Sequence, residues 1–153
     1  MDVWRLTRPE FAPGLDGIGA RREGGRWNSP GIAAVYCASS LSLATLEIFV
    51  HLPPAMRTPE KMPDFVAVKL RVPDEMIAPK PDMAAMSAMR NVGEFRTIGD
   101  TWLTACETLA LRVPSLVVSQ EENLVLNPNH TDIAKVDVLS TEPFRLDARF
   151  FEV

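Results

Sequence analysis

The run Leu41-Ser42-Leu43-Ala44-Thr45-Leu46-Glu47-Ile48-Phe49-Val50-His51-Leu52 is apolar almost all round, and a single carboxylate sits in its middle. Such a run reads as a helix buried in a core. Ser39 or Ser40 supplies its N-cap, and Pro53-Pro54 ends it. One helical turn from Glu47 stand Leu43, Ala44, Val50 and His51. A bare ionised carboxylate there is costly, so Glu47 must find a partner, titrate or do chemistry. The plainest partner is structural: an ion pair with Arg26, Arg5 or His51.

The rest of the chain must therefore wrap this helix. Trp4 to Thr7 reads as a first strand, and Ala34-Val35-Tyr36-Cys37-Ala38 alternates as a second. Between them lies a glycine-rich loop, residues 12–31, ending in Gly25-Arg26-Trp27-Asn28. Phe65 to Val72 is the clearest alternating strand. A later helix has Trp102, Leu103, Ala105, Cys106, Leu109 and Ala110 along one side, with Thr97 and Asp100 spaced as a capping box. Ser115–Ser119, Leu124–Leu126 and Val136–Leu139 read as three short strands, and Asn127-Pro128-Asn129 as a turn. Strands and helices mix without a βαβ repeat, which predicts an α+β class with a mixed or antiparallel sheet core. At 153 residues the chain is expected to form one compact domain, 1–153.

Composition narrows the function. A net charge of −4 with scattered basic residues gives no footprint for direct nucleic-acid binding. No apolar run approaches the roughly 20 residues that span a bilayer, so no membrane partner is expected. Met1-Asp2-Val3-Trp4-Arg5 lacks a signal-peptide plan, which favours the cytoplasm. With only His51 and His130 a histidine-rich zinc site is not expected, and Cys37 and Cys106 read as buried free thiols. Met83, Met86 and Met89 form a stripe at helical spacing, read first as core filling and second as a contact surface for a partner.

The glycine loop matches neither a dinucleotide nor a P-loop fingerprint. A loop ending in Arg26 can still bind an anion, because guanidinium forks phosphate bidentately. Tyr36 offers a ring face for a flat heterocycle. Ser115 offers a hydroxyl without a histidine or a nucleophile elbow to activate it, so alone it reads as structural. Asn123 and Asn127 flank an apolar trio on one strand face, where asparagines commonly pin loops through backbone bonds.

Taken in order, Trp4-Arg5-Leu6, Gly25-Arg26-Trp27-Asn28, Val35-Tyr36-Cys37-Ala38-Ser39, Ala44-Thr45-Leu46-Glu47, Val113-Pro114-Ser115 and Asn123 to His130 resemble the RES domain, named for its arginine, glutamate and serine. Each segment is weak alone; the ordered set is specific. Residues 53–96 carry none of the signature. The resemblance implies a fold similar to ADP-ribosyltransferases and the role of toxin in a bacterial toxin–antitoxin pair, with an Xre-type antitoxin as partner in a higher-order complex. It also implies that NAD+ is consumed as substrate, with no metal. On those terms Arg26 contacts the pyrophosphate, with Arg5 as a second phosphate ligand, and Tyr36 packs on the nicotinamide side. Glu47 takes the place of the transferase glutamate, Ser115 lines the same pocket, and Trp27 and Asn127 fall within the binding site. Bond cleavage would pass ADP-ribose to water or phosphate, or else to a side chain of a target protein. Two other classes remain: a non-catalytic nucleotide-binding module, and an ordinary core protein whose motif residues are structural pairs.

Overall fold

The computed structural model describes residues 1–152. Its centre is a six-stranded sheet built from β1 (Asp2–Thr7), β2 (Val35–Ala38), β3 (Phe65–Arg71), β4 (Ala110–Pro114), β5 (Glu122–Leu126) and β6 (Asp137–Phe144). The spatial order is β4-β5-β2-β1-β3-β6, and every strand pair is antiparallel. Four helices complete the domain: α1 (Ile18–Glu23), α2 (Leu41–His51), α3 (Met83–Ala88) and α4 (Val92–Ala105). The expected α+β class holds, and of the two sheet types the antiparallel one is realised.

Strand parity divides the sheet into two faces. Val3, Val35, Cys37, Val68, Leu70, Leu124 and Leu126 bury one of them. On the other, α2 packs over Leu6, Ala38 and Ala67, while α4 packs Phe95 and Leu103 against Leu111, Val113 and Val125. The cavity described below lies on this same face, between α2 and the end of α1 with the loop that follows it.

Several elements differ from expectation, each for a local reason. Helix α2 is capped by Ser40, whose hydroxyl accepts from the Leu43 N–H at 3.1 Å, but it is not buried all round: Leu46 and Val50 are 36% and 49% exposed. The capping box of α4 is Asn91 with Glu94, whereas the Thr97 hydroxyl donates to the Gly93 carbonyl. The same helix stops at Ala105, because Cys106 takes a left-handed conformation (φ 55°). Leu109 and Ala110 therefore belong to the strand side, not to the helix face. The expected strand Ser115–Ser119 is displaced to Ala110–Pro114. The Ser115 hydroxyl draws in the N–H groups of Val117 and Val118 (3.1 and 2.9 Å), bending the chain into a turn. Finally β6 is longer than expected and runs through Pro143, tolerated on an edge strand. Met86 is buried beside Trp27 and Phe95 with Met83 and Met89 packed around it, so the methionine stripe fills core.

Candidate active site

The segment Gly25-Arg26-Trp27-Asn28 is a scaffold with one free product, the Arg26 side chain. Asn28 is fully buried and donates to the carbonyls of Ala20 and Ile32 (2.9 and 2.8 Å). Its Oδ1 accepts from the Tyr36 hydroxyl at 2.6 Å, and that hydroxyl in turn accepts from the Trp27 N–H at 3.0 Å. Burial pushes the Tyr36 phenol up to about 12, so at neutral pH it keeps the proton it donates. Gly25 is required by close approach, since a Cβ there would lie 2.5 Å from Tyr36 Oη and 2.7 Å from Asn28 Oδ1. Helix α4 holds the loop from the other side. Arg96 Nε donates to the Gly25 carbonyl (2.9 Å), and the Asp100 carboxylate accepts from the Ser29 N–H and hydroxyl (2.8 and 2.5 Å).

Arg26 emerges from this clamp with its guanidinium over the Phe95 ring, 5.3 Å from the centroid. Phe95 itself meets Trp27 edge-on at 5.1 Å. Cation–π stacking contributes about 0.5–1 kcal/mol at such a half-exposed position and leaves the guanidinium N–H groups free. Arg26 has no hydrogen-bond or ion-pair partner among the described residues.

Glu47 is not buried bare, and it pairs with neither arginine. Its side chain is 21% exposed. Two neutral donors converge on one of its oxygens: Ser115 Oγ at 2.8 Å and Asn123 Nδ2 at 2.6 Å, both to Oε1. The other oxygen, Oε2, accepts no hydrogen bond among the described residues; His51 Nδ1 lies 3.9 Å away and donates to the Glu47 carbonyl at 2.7 Å. Ser115 accepts two backbone N–H groups, so its one proton is committed to Glu47. In this arrangement the hydroxyl supports the carboxylate.

A cavity of about 510 Å³ joins these groups, lined among others by Trp4, Arg26, Trp27, Tyr36, Glu47, His51 and Asn123. That is within the ~300–1,000 Å³ typical of small-molecule sites. A second hollow of about 380 Å³ shares Arg26 and Leu116 with it and is bordered by Met89, Phe95 and Ser115. Arg26 thus stands between two spaces, with Glu47 in the larger.

Of the residues expected at the site, Arg26, Trp27, Tyr36, Glu47 and Ser115 come together around these two hollows. Two expectations need correction. Arg5 lies on the opposite sheet face from its neighbours Trp4 and Leu6, which line the cavity, and it donates to the carbonyls of Phe11 and Gly14. Asn127 is buried at the far end of β5, where its Nδ2 donates to the Leu103 carbonyl at 2.9 Å and secures the end of α4. Neither borders the cavity. Conversely, Asn123 belongs to the site and His51 lines it. Strand alternation from Val125 was the available signal for Asn123, since both face the side on which α4 packs.

Comparison with known proteins decides the family. The RES domain model matches residues 2–147. The chain belongs to the RES domain family. Among its relatives are Toxin Res of Yersinia enterocolitica, 37% identical over 97% of this chain and 99% of the relative. The Prs ADP-ribosylating toxin of Sphingobium sp. is 33% identical over 95% of this chain and 94% of its own length. A chain of the M. tuberculosis MbcT–MbcA toxin–antitoxin complex shares the fold of this RES domain with a TM-score of 0.75, covering 99% of this chain and 86% of that one at 21% identity. No helix of the described residues is long and apolar enough to cross a membrane.

Proposed function

We propose that this RES domain is the toxin of a toxin–antitoxin pair and consumes NAD+ by cleaving the bond between nicotinamide and ribose. One observation carries the reading. A carboxylate fixed through one oxygen by neutral donors keeps its other oxygen and its charge for a ligand, in a cavity that also holds an unpartnered guanidinium. As the bond breaks, its electron pair leaves with nicotinamide and neutralises the pyridinium ring, while positive charge grows on the ribose. Glu47 Oε2 is placed to stabilise that charge and to accept from a ribose hydroxyl. Arg26, between the two hollows, suits the pyrophosphate, and the Tyr36 ring, locked by its hydroxyl, gives nicotinamide a rigid wall. Trp27 supports Arg26 through Phe95. Water or phosphate then takes the ADP-ribose; in this reading NAD+ is the substrate and no metal takes part.

A second acceptor, a protein side chain, is favoured by the name of the Sphingobium relative. Incubating pure protein with NAD+ and following nicotinamide, free ADP-ribose and its phosphate ester separates the two. Release only when a cell lysate is added, with ADP-ribose carried on protein, would favour protein modification, and no release with or without the lysate would sink both.

Arg26→Lys should raise the KM for NAD+ about tenfold with a smaller effect on kcat, because a point charge replaces a bidentate fork and loses the stacking on Phe95. Unchanged NAD+ affinity in a folded variant would remove Arg26 from phosphate binding.

In a cell the protein acts in the cytoplasm, where NAD+ is drawn upon, and an antitoxin of the Xre type holds it inactive. A partner segment reaching Arg26 would need a carboxylate or a chain end that mimics phosphate. Expression without the partner should arrest growth, and Glu47→Ala should relieve the arrest. Normal growth with abundant soluble wild-type protein would refute the toxin reading.

A further inference from the structure

We infer that Asn123 is the positioning residue that aims Glu47, holding the carboxylate by Oε1 so that Oε2 faces the ribose; this rests on the reading of Glu47 given above. Three observations on β5 support it. The Asn123 amide donates to Glu47 Oε1 at 2.6 Å, the shorter of the two bonds that oxygen receives. Among the described residues its side chain makes no bond to the backbone, so it does not pin a loop as strand-end asparagines commonly do. Its own Oδ1 is buried without a hydrogen-bond partner.

The last point is the most telling. A buried unsatisfied acceptor disfavours folding, and turning the amide over would set Oδ1 against the acceptor Oε1 of an ionised Glu47. The side chain is therefore held in an orientation that serves the carboxylate and not itself. Ser115 and Asn123 have complementary parts. Ser115 is tied at the turn after β4 by two backbone N–H groups, and Asn123 is tied in the β5 ladder opposite Ala38 and Val113. One donor from β5 and one from the turn that follows its neighbour β4 fix the azimuth of the carboxylate as well as its position. A single donor would leave it free to swing toward His51.

The test uses two replacements in the full-length protein. Asn123→Asp keeps size and shape but sets two carboxyl oxygens about 2.6 Å apart. Such a pair shares a proton, so the two carboxyls together take up their first proton at higher pH than a lone carboxyl at that place would. Since ionised Glu47 is the active form, the acid limb of kcat/KM should move up by about one pH unit or more. The carboxyl pair, followed by carbon NMR without substrate, should show the same upward shift. The other ionisable side chains lining the cavity, Glu23, Arg26, Tyr36 and His51, are unchanged in the variant, and the Cys37 thiol lies on the opposite face of the sheet. Glu122, next along β5, pairs with Lys80; Arg5 faces the other side of the sheet; and Lys69 and Arg57 lie over the rings of Trp4 and Phe49.

Asn123→Leu removes both the donor and the orphaned acceptor. Its kcat should fall about tenfold or more with KM little changed, as misplacement of a catalytic group predicts, while thermal stability holds or rises. A merely structural asparagine predicts the reverse, lower stability with kcat intact. A carboxyl pair that titrates as two independent groups in Asn123→Asp, or full kcat in Asn123→Leu, overturns the inference. So does a chain that folds with neither replacement, because Asn123 would then serve the fold. The NMR titration decides the clamp whether or not wild type releases nicotinamide; the wild-type assay alone decides the cleavage reading.

Discussion

Glu47→Gln should lower the rate of nicotinamide release on the order of 10²-fold or more, with the fold intact. The geometry makes this a clean removal of charge. A glutamine carbonyl can take the place of Oε1 and accept from both Ser115 and Asn123 as before. Its amide then occupies the position of Oε2, where the negative charge is needed. A hundredfold loss corresponds to about 2.7 kcal/mol of transition-state stabilisation. Stability should change little, by no more than about 1 kcal/mol, because among the described residues the only ionisable side chain within 4 Å of the carboxylate is the exposed His51, at 3.9 Å. The effect should appear in kcat and kcat/KM together, since the interaction grows only as charge develops on the ribose. Retention of most of the wild-type rate in Glu47→Gln would remove the carboxylate from the mechanism. A large loss of stability would instead return Glu47 to a structural role.

Much of the fold was legible because short-range chemistry and tertiary packing agree there. Alternation in Phe65 to Val72 marks a strand buried between β1 and β6, and Ser40 with Pro53-Pro54 brackets α2. Agreement fails between residues 97 and 119. No glycine or proline marks the end of α4; a cysteine in a left-handed conformation ends it, with Asn127 bonding back to Leu103 across 24 residues. Local spacing cannot register such a bond. The motif order correctly brought Arg26, Tyr36, Glu47 and Ser115 to one place, but proximity in sequence misled for Arg5. If Trp4 and Leu6 line a cavity, strand parity sends Arg5 to the other face. Helix α2 was read as fully buried because its exposed face carries Leu46 and Val50 instead of charges. The partners of Glu47 could not be read at all. Ser115 and Asn123 lie 68 and 76 residues away, and only the pairing of β4 with β5 brings them together.

Gly99→Ala should destabilise the protein by about 2 kcal/mol or more and damage the site with it. Helix propensity alone predicts the opposite, because alanine in a helix interior is favoured over glycine by roughly 1 kcal/mol. Close approach reverses the sign here. A Cβ at Gly99 would lie 1.7 Å from the Trp27 carbonyl oxygen and 2.6 Å from its carbon, both backbone atoms that no rotamer change can move. Either α4 retreats or the loop does. If the loop moves, the Trp27 ring leaves its edge-on contact with Phe95, and the bonds from Arg96 to Gly25 and from Ser29 to Asp100 are pulled out of reach. Arg26 then loses both its seat and its direction. The denaturant midpoint should fall with an unchanged slope, and among molecules that remain folded KM for NAD+ should rise more than kcat falls. Those two readings must move together, because one contact surface supports both the helix and the arginine. An alanine variant as stable as wild type, or more stable, would mean that α4 and the Arg26 loop do not meet at Gly99. A destabilised variant with unaltered KM would separate the fold from the phosphate site.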